Sequence, residues 1–260
     1  MDLKNKRVTV IGLGLSGTSS AILANYLGAI VFVSDSGANK SIHENAIKLM
    51  SLHHIASETG LHTEKIYDAE LWIISPGLSK NSRIVKKANQ RNIKSISEIE
   101  FASKYASSPI IAVTGSNGKT TTCNMLNSML SGSGITPILS GNLGVPFSKT
   151  VLQQLKKPLK NVYFILEISS FQLEKIEDFK PNYAVFTNIS PDHLDRHETM
   201  SEYIKMKLRL VKQFFQSCKM QKNWSLDSKS PFEKHRVLNP PAYMPILNKT
   251  LAAVREDIPM

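Results

Sequence analysis

Apolar residues in the first hundred positions fall in short dense runs. Arg7–Ile11, Ala29–Val33, Leu71–Ile74 and Ile93–Ile96 are rich in Val, Ile and Leu, the pattern of strands covered on both faces of a parallel sheet. Residues 18–27 and Glu98–Tyr105 have helix-compatible spacing, so strands alternate with helices and an α/β unit is predicted over residues 1–106. Ala106-Ser107-Ser108-Pro109 is small and polar, and it reads as a linker. The alternation then restarts. Ile110–Val113, Thr136–Leu139, Val162–Ile168 and Tyr183–Ile189 are strand candidates. Thr120–Leu130 repeats apolar residues at Met125, Leu126, Met129 and Leu130, and Ser201–Phe215 does so at Tyr203, Ile204, Leu208, Val211 and Phe215. A second α/β unit is therefore predicted over residues 107–215. Residues 216–260 carry Asn239-Pro240-Pro241 and no sustained period, which predicts a poorly structured tail.

Composition supports folded cores: the 260 residues are 42% hydrophobic. The net charge of +11 raises a nucleic-acid reading, but its distribution argues against one. Residues 205–260 hold 11 Lys/Arg against 4 Asp/Glu, without helix-turn-helix, zinc or aromatic single-strand signatures. A basic surface near anionic substrates is expected, with no nucleic-acid partner. Cys123 and Cys218 have neither metal-type spacing nor a disulfide framework, so a reducing, cytoplasmic setting is expected. No apolar run approaches the length of a membrane span. Lys4, Lys6 and Arg7 before Val8–Leu15 only imitate a signal peptide, because that run is short and broken by glycines.

Two glycine-rich turns carry the chemistry. Gly12-Leu13-Gly14-Leu15-Ser16-Gly17 follows the first strand and opens a helix, and the second strand ends near Asp35; a dinucleotide fold places its phosphate loop and ribose-binding acid there. Gly115-Ser116-Asn117-Gly118-Lys119-Thr120-Thr121 likewise joins strand to helix. In such a loop, backbone N–H groups cradle phosphates, Lys119 neutralises them, and the Thr120 hydroxyl can reach Mg²⁺. The spacing is shorter than the general phosphate-loop pattern, with Val113 where a first glycine would stand. The fold class expected is thus α/β: a Rossmann-like N-terminal parallel sheet, then a P-loop ATPase-type domain.

Glu167 stands in an apolar strand and needs a partner. Mg²⁺ is one candidate and backbone N–H groups are another. Asn188–His197 crowds imidazoles, carboxylates and a guanidinium after the next strand, where open α/β sheets bind ligands. Lys207, by spacing alone, reads as a solvated helix lysine.

Taken in order, Thr114–Thr120, Glu167-Ile168-Ser169-Ser170-Phe171-Gln172-Leu173-Glu174, Asn188–His197 and Tyr203–Lys207 resemble the Mur ligases of peptidoglycan synthesis. The likeness covers residues 5–215. It implies that Gly115, Ser116, Asn117, Gly118, Lys119, Thr120 and Thr121 bind ATP. Thr120, Glu167, His193 and Lys207 would serve Mg²⁺, Lys207 as a carbamate. Lys119, His193 and Lys207 would be catalytic. Leu15, Ser16, Asp35, Ser75, Gly77 and Asn142 would hold a UDP-sugar, so the first loop takes a uridine nucleotide in place of NAD. Ser169–Glu174 and the Gly12–Gly17 loop favour a member that adds D-glutamate to UDP-N-acetylmuramoyl-L-alanine. That reaction is ADP-forming and runs through an acyl phosphate. The family pattern is not followed after Phe215, so the resemblance implies that the central ATP-binding domain is incomplete and that a third, amino-acid-binding domain is lacking. A non-catalytic nucleotide-binding remnant is the competing reading. An NAD-dependent oxidoreductase is a weaker one, since it leaves Lys119, Glu167 and His193 unexplained.

Overall fold

The structure, a computed structural model, describes residues 1–78, 81–142, 144–192 and 199–220, the side chains of 215–220 excepted. Two parallel sheets carry the chain. The first comprises β1 (Arg7–Ile11), β2 (Ile30–Asp35), β3 (Ala56–Thr59), β4 (Leu71–Ile74) and β5 (Lys94–Ser97), in the order β3-β2-β1-β4-β5. The order reverses at β1, whose neighbours are β2 and β4. The carboxyl ends of β1 and β4 therefore flank a switch point, the place where doubly wound sheets open a crevice.

Around that sheet lie α1 (Leu15–Tyr26), α2 (Lys40–His53), α3 (Arg83–Gln90) and α4 (Glu98–Ser103). Ile11, Trp72 and Ile74 point to one face and pack with Val85 and Ala88 of α3. Val8, Val10, Val33 and Ile73 face the other side, with Leu23 of α1 and Phe101 of α4. The alternation of these contacts explains why β4 is apolar at all four positions and β1 at Val8, Val10 and Ile11. Helix α1 begins at Leu15, three residues before the predicted start. Leu15 is 69% exposed, so no apolar period announces that turn. Gly17 makes it possible, because a Cβ there would lie 1.9 Å from the Gly12 carbonyl oxygen.

The second sheet contains β6 (Ile110–Thr114), β7 (Thr136–Gly141), β8 (Val162–Glu167) and β9 (Tyr183–Phe186), in the order β7-β8-β6-β9. Its helices are α5 (Lys119–Ser131), α6 (Phe147–Lys156), the short α7 (Ser170–Leu173) and α8 (Met200–Met220). Ile111, Val113 and Ile165 meet Cys123 and Leu126 of α5 on one face. Ile110, Ala112, Phe164 and Leu166 face Phe147 and Val151 of α6 on the other. That second group belongs to the same apolar cluster as the core of the first sheet, so the halves share a core through α1, α4 and α6.

Helix α8 corrects the sequence reading at its end. It runs through 216–220, the first five residues of the expected unstructured tail. Residues 200–220 contain neither Gly nor Pro, so nothing local stops the helix at Phe215. The rest of the tail, 221–260, lies outside the described residues.

Candidate active site

The Gly115–Thr121 loop leaves β6, whose neighbours in the sheet are β8 and β9. Gly115 has φ of +148°, and a Cβ there would meet Thr187 Oγ1 at 2.0 Å. Only glycine lets the loop pass beneath the end of β9. Three residues after β9 then fasten it. Thr187 Oγ1 donates to the Asn117 carbonyl at 2.6 Å, Asn188 Oδ1 accepts the Asn117 N–H at 2.9 Å, and Ser190 N–H donates to Ser116 Oγ at 2.9 Å. The Tyr203 hydroxyl of α8 lies 2.9 Å from Ser116 Oγ as well.

Within this frame the predicted residues converge. Glu167 ends β8 in register with Val113 of β6 and Gly141 of β7. Its Oε2 accepts from Thr120 Oγ1 at 2.7 Å, and its Oε1 accepts from Asn142 Nδ2 at 2.9 Å. The buried carboxylate thus has side-chain partners, unlike the backbone-only alternative, and the Thr120 oxygen and the Glu167 carboxylate lie side by side. Asn142, predicted with the sugar-binding group, is held here: its N–H also donates to the Glu167 carbonyl at 2.7 Å.

Two lysines reach the same peptide. Lys119 Nζ donates to the carbonyls of Gly115 and Ser116 at 2.9 and 2.7 Å. Lys207 Nζ donates to Gly115 O at 2.6 Å and sits 4.7 Å above the Tyr203 ring. Lys207 is 1% exposed, which overturns the solvated reading from helix spacing. Burial, and after it the Lys119 ammonium, pushes its amine down to about 7. A lysine so placed exists substantially as the free amine near neutrality. Thr120 and Thr121 border an open groove along α5, together with Asn124 and Met125. Behind the loop, Cys123 is buried and its thiol is pushed up to about 12 by burial, so it is chemically quiet. His193 lies outside the described residues.

The other predicted group lines a separate cleft of about 460 Å³ at the switch point of the first sheet. Leu15, Ser16, Asp35, Ser75 and Gly77 all border it. Gly12 has φ of +112°, and a Cβ would stand 2.4 Å from Ser75 Oγ, so the two loops close on each other only because residue 12 is glycine. Asp35, expected to bind ligand, also has a structural task. Its two oxygens accept the N–H groups of Leu13 and Gly37 at 2.6 and 2.7 Å, tying the glycine loop to the end of β2.

Sequence reasoning gave no role of their own to Thr187, Tyr203 and the cleft residue His62. Thr187 was legible only as part of a strand end, and Tyr203 only as an apolar helix position. His62 follows β3 in no motif at all.

Two family profiles match the chain: one described as the MurD N-terminal domain at residues 7–84, the other as the Mur ligase middle domain at residues 113–224. Among curated proteins, the UDP-N-acetylmuramoylalanine--D-glutamate ligase of Christiangramia forsetii is 40% identical over 208 residues, which are 79% of this chain and 45% of that protein. The protein of the same name from Koribacter versatilis is 40% identical over 81% of this chain and 46% of its own length. That from Thermoanaerobacter pseudethanolicus is 34% identical over 94% and 55%. The chain spans about half the length of these relatives. A solved structure, the UDP-N-acetylmuramate:L-alanyl-gamma-D-glutamyl-meso-diaminopimelate ligase from Neisseria meningitides, matches 80% of this chain and 68% of its own with a TM-score of 0.51. At 20% identity that likeness shows the fold.

Proposed function

Since this chain belongs to the Mur ligase family, we propose that it carries the nucleotide sites of an ADP-forming ligase that joins D-glutamate to UDP-N-acetylmuramoyl-L-alanine. The observation that supports this most strongly is the convergence of Lys119, Thr120, Asn142, Glu167 and Lys207 on the Gly115–Thr121 loop. A phosphoryl transfer to a carboxylate asks a protein mainly for positioning and for neutralisation of charge. The loop supplies both.

In this reading the loop N–H groups and the Lys119 ammonium bind the ATP phosphates, and the helix dipole of α5 favours them. The fit to Mg²⁺ rests on hard oxygen donors: the Glu167 carboxylate and the Thr120 hydroxyl are adjacent. Bound there, Mg²⁺ would neutralise phosphate charge. Lys207 as an ammonium is a hydrogen-bond donor and no ligand. Once it has lost a proton, its neutral amine can attack CO₂, forming an N–C bond and releasing a second proton, so that a carbamate anion replaces the cation beside the loop. The first cleft, with Leu15, Ser16, Asp35, Ser75 and Gly77, takes the UDP-sugar. Activation of the lactoyl-alanine carboxylate as an acyl phosphate, followed by attack of the D-glutamate amine, completes the proposed reaction.

Mixing the purified chain with ATP, Mg²⁺, UDP-N-acetylmuramoyl-L-alanine and D-glutamate tests it. ADP release should need the UDP-sugar, and Lys119→Ala and Glu167→Gln should each lower it by about a hundredfold or more. Binding of both nucleotides without ADP release would replace this reading by a non-catalytic one. Preference of the first cleft for NADH over the UDP-sugar would replace it by the oxidoreductase reading.

A further inference from the structure

No Asp or Glu occurs at residues 3–34 or at residues 101–166. The fold packs these two acid-free stretches together, α1 of the first against α6 of the second. They meet at one end of the molecule. Residues 1–6 lead into β1, 27–29 into β2 and 157–161 into β8, so all three lie at the amino ends of parallel strands, opposite the phosphate loop and the switch-point cleft. Lys156 Nζ at the end of α6 sits 5.4 Å above the Tyr26 ring at the end of α1. The Tyr105 hydroxyl donates to the Met1 carbonyl at 2.9 Å, and its ring shares a small cleft with Leu155 and Pro158.

Positive charge is left over in the turn Lys156-Lys157-Pro158-Leu159-Lys160. Elsewhere at this end the acids are matched: Asp68 by Arg7, Glu70 by Lys6, Glu177 by Lys94 and Asp178 by Lys104. Asp2 accepts the Lys4 N–H at 3.0 Å. Lys4, Lys156, Lys157 and Lys160 form no ion pair among the described residues. Among these lysines Leu159 is 55% exposed, and Leu155 and Tyr26 are exposed at the same end. A lone exposed leucine is ordinary, but this one is held outward. The Gln154 side chain grips it by both backbone groups, donating from Nε2 to Leu159 O at 2.9 Å and accepting the Leu159 N–H on Oε1 at 3.1 Å. The backbone of the turn is thus satisfied while the leucine side chain stays in water.

We propose that this tip docks the chain on a bilayer surface of anionic phospholipid. The unpaired ammonium groups meet the headgroup phosphates, and Leu159 enters the boundary between headgroups and acyl chains. A nucleic acid would engage the lysines and leave the leucine unused; the lipid boundary uses both. Docking by this end leaves the phosphate loop and the switch-point cleft facing away from the lipid. It does not depend on which ligand either of them takes.

Co-sedimentation of the full chain with vesicles tests it, using phosphatidylcholine alone and an equal mixture with phosphatidylglycerol. The chain should pellet with the mixture and stay in solution with phosphatidylcholine. Lys156→Gln, Lys157→Gln and Lys160→Gln together should weaken partitioning about a hundredfold, roughly fivefold for each lysine. Lys48→Gln, Lys65→Gln and Lys86→Gln, at exposed positions on other elements, remove the same charge and should cost about threefold or less. Leu159→Ser should cost about fivefold, and that loss should persist as salt rises while the lysine effect fades. Equal losses in the two triple variants would reduce the effect to the net charge of the chain and overturn the proposal. It is overturned as well if the mixture fails to pellet the chain, or if Leu159→Ser partitions like the unmodified protein. Tighter binding to polyglutamate or to RNA than to the vesicles would overturn it too, assigning the tip to an acidic protein or a nucleic acid.

Discussion

At the scale of single residues, Lys207 shows how a side chain's meaning depends on what faces it. Tyr203, Lys207 and Val211 lie four apart on α8, so the lysine stands on the apolar stripe and not across from it. That was the signal available in the sequence, and solvated spacing hid it because a lysine is ordinarily solvated wherever a helix meets water. The structure buries the amine against Gly115 O and holds its pKa near 7, against an ordinary value of 10.5. The sign follows directly. Between those two values the unfolded chain binds the proton and the folded chain does not, so stability rises with pH across 7 to 10.5, and the full cost of burial is felt below 7. Lys207→Met removes the titration. Chemical denaturation of both proteins should show the wild type gaining roughly 3–5 kcal/mol relative to the variant from pH 7 to pH 10.5. Parallel curves would mean that the amine keeps its proton in the fold.

At the scale of elements, the strands were legible because both sheets are covered and their sequences are apolar almost throughout, as in Leu71–Ile74 and Ile110–Val113. The phosphate loop was legible as a motif. What braces it was not, since Thr187, Asn188 and Ser190 act from the end of a different strand, brought alongside by the β6–β9 pairing. At the end of β7 the sequence pointed to Asn142, yet the glycine before it sets the geometry. Gly141 has φ of +95°, and a Cβ there would lie 2.3 Å from the Glu167 carbonyl oxygen. That oxygen is backbone and cannot rotate away. Gly144, also at positive φ of +67°, has open space around its Cβ position. Gly141→Ala should therefore displace the β7–β8 junction and with it the Asn142–Glu167 contact, costing about 3 kcal/mol or more in stability and about tenfold or more in ATP–Mg²⁺ affinity. Gly144→Ala should cost only about 1 kcal/mol of backbone strain and leave affinity within about twofold. Thermal melts and nucleotide titrations on the pair separate steric from conformational cost; equal losses would place the clash elsewhere.

At the scale of the whole molecule, the two sheets are joined by carboxylates that no motif announced. Glu100 of α4 is fully buried and accepts the N–H groups of Glu177, Asp178 and Phe179, with Lys104 Nζ at 2.8 Å. Sequence alone showed an acidic first helical turn and gave no reason to suspect burial. Its neighbour Glu98 makes a weaker seam. Oε1 accepts the Ser148 N–H of α6 at 2.5 Å, and Ser148 Oγ lies 3.3 Å from Ser20 Oγ of α1, but Glu98 Oε2 has no partner among the described residues. Burial raises this carboxyl from 4.5 to about 7, more than the bonds from Ser148 and Phe147 lower it. Because the folded value lies above the unfolded one, Glu98 contributes stability in full below pH 4.5, and the contribution is lost as pH rises through 7. The shared core through α1, α4 and α6 should thus loosen toward neutral pH, where a charge is forced onto an oxygen with nothing to receive it. Glu98→Gln keeps the shape and removes the titration. Urea denaturation from pH 4.5 to pH 8 should show the wild type losing roughly 3 kcal/mol relative to Glu98→Gln, with most of the change near pH 5–7. A variant whose stability tracks the wild type at every pH would show that the carboxyl is already ionised at the seam, and that some neighbouring donor reaches Oε2 in solution.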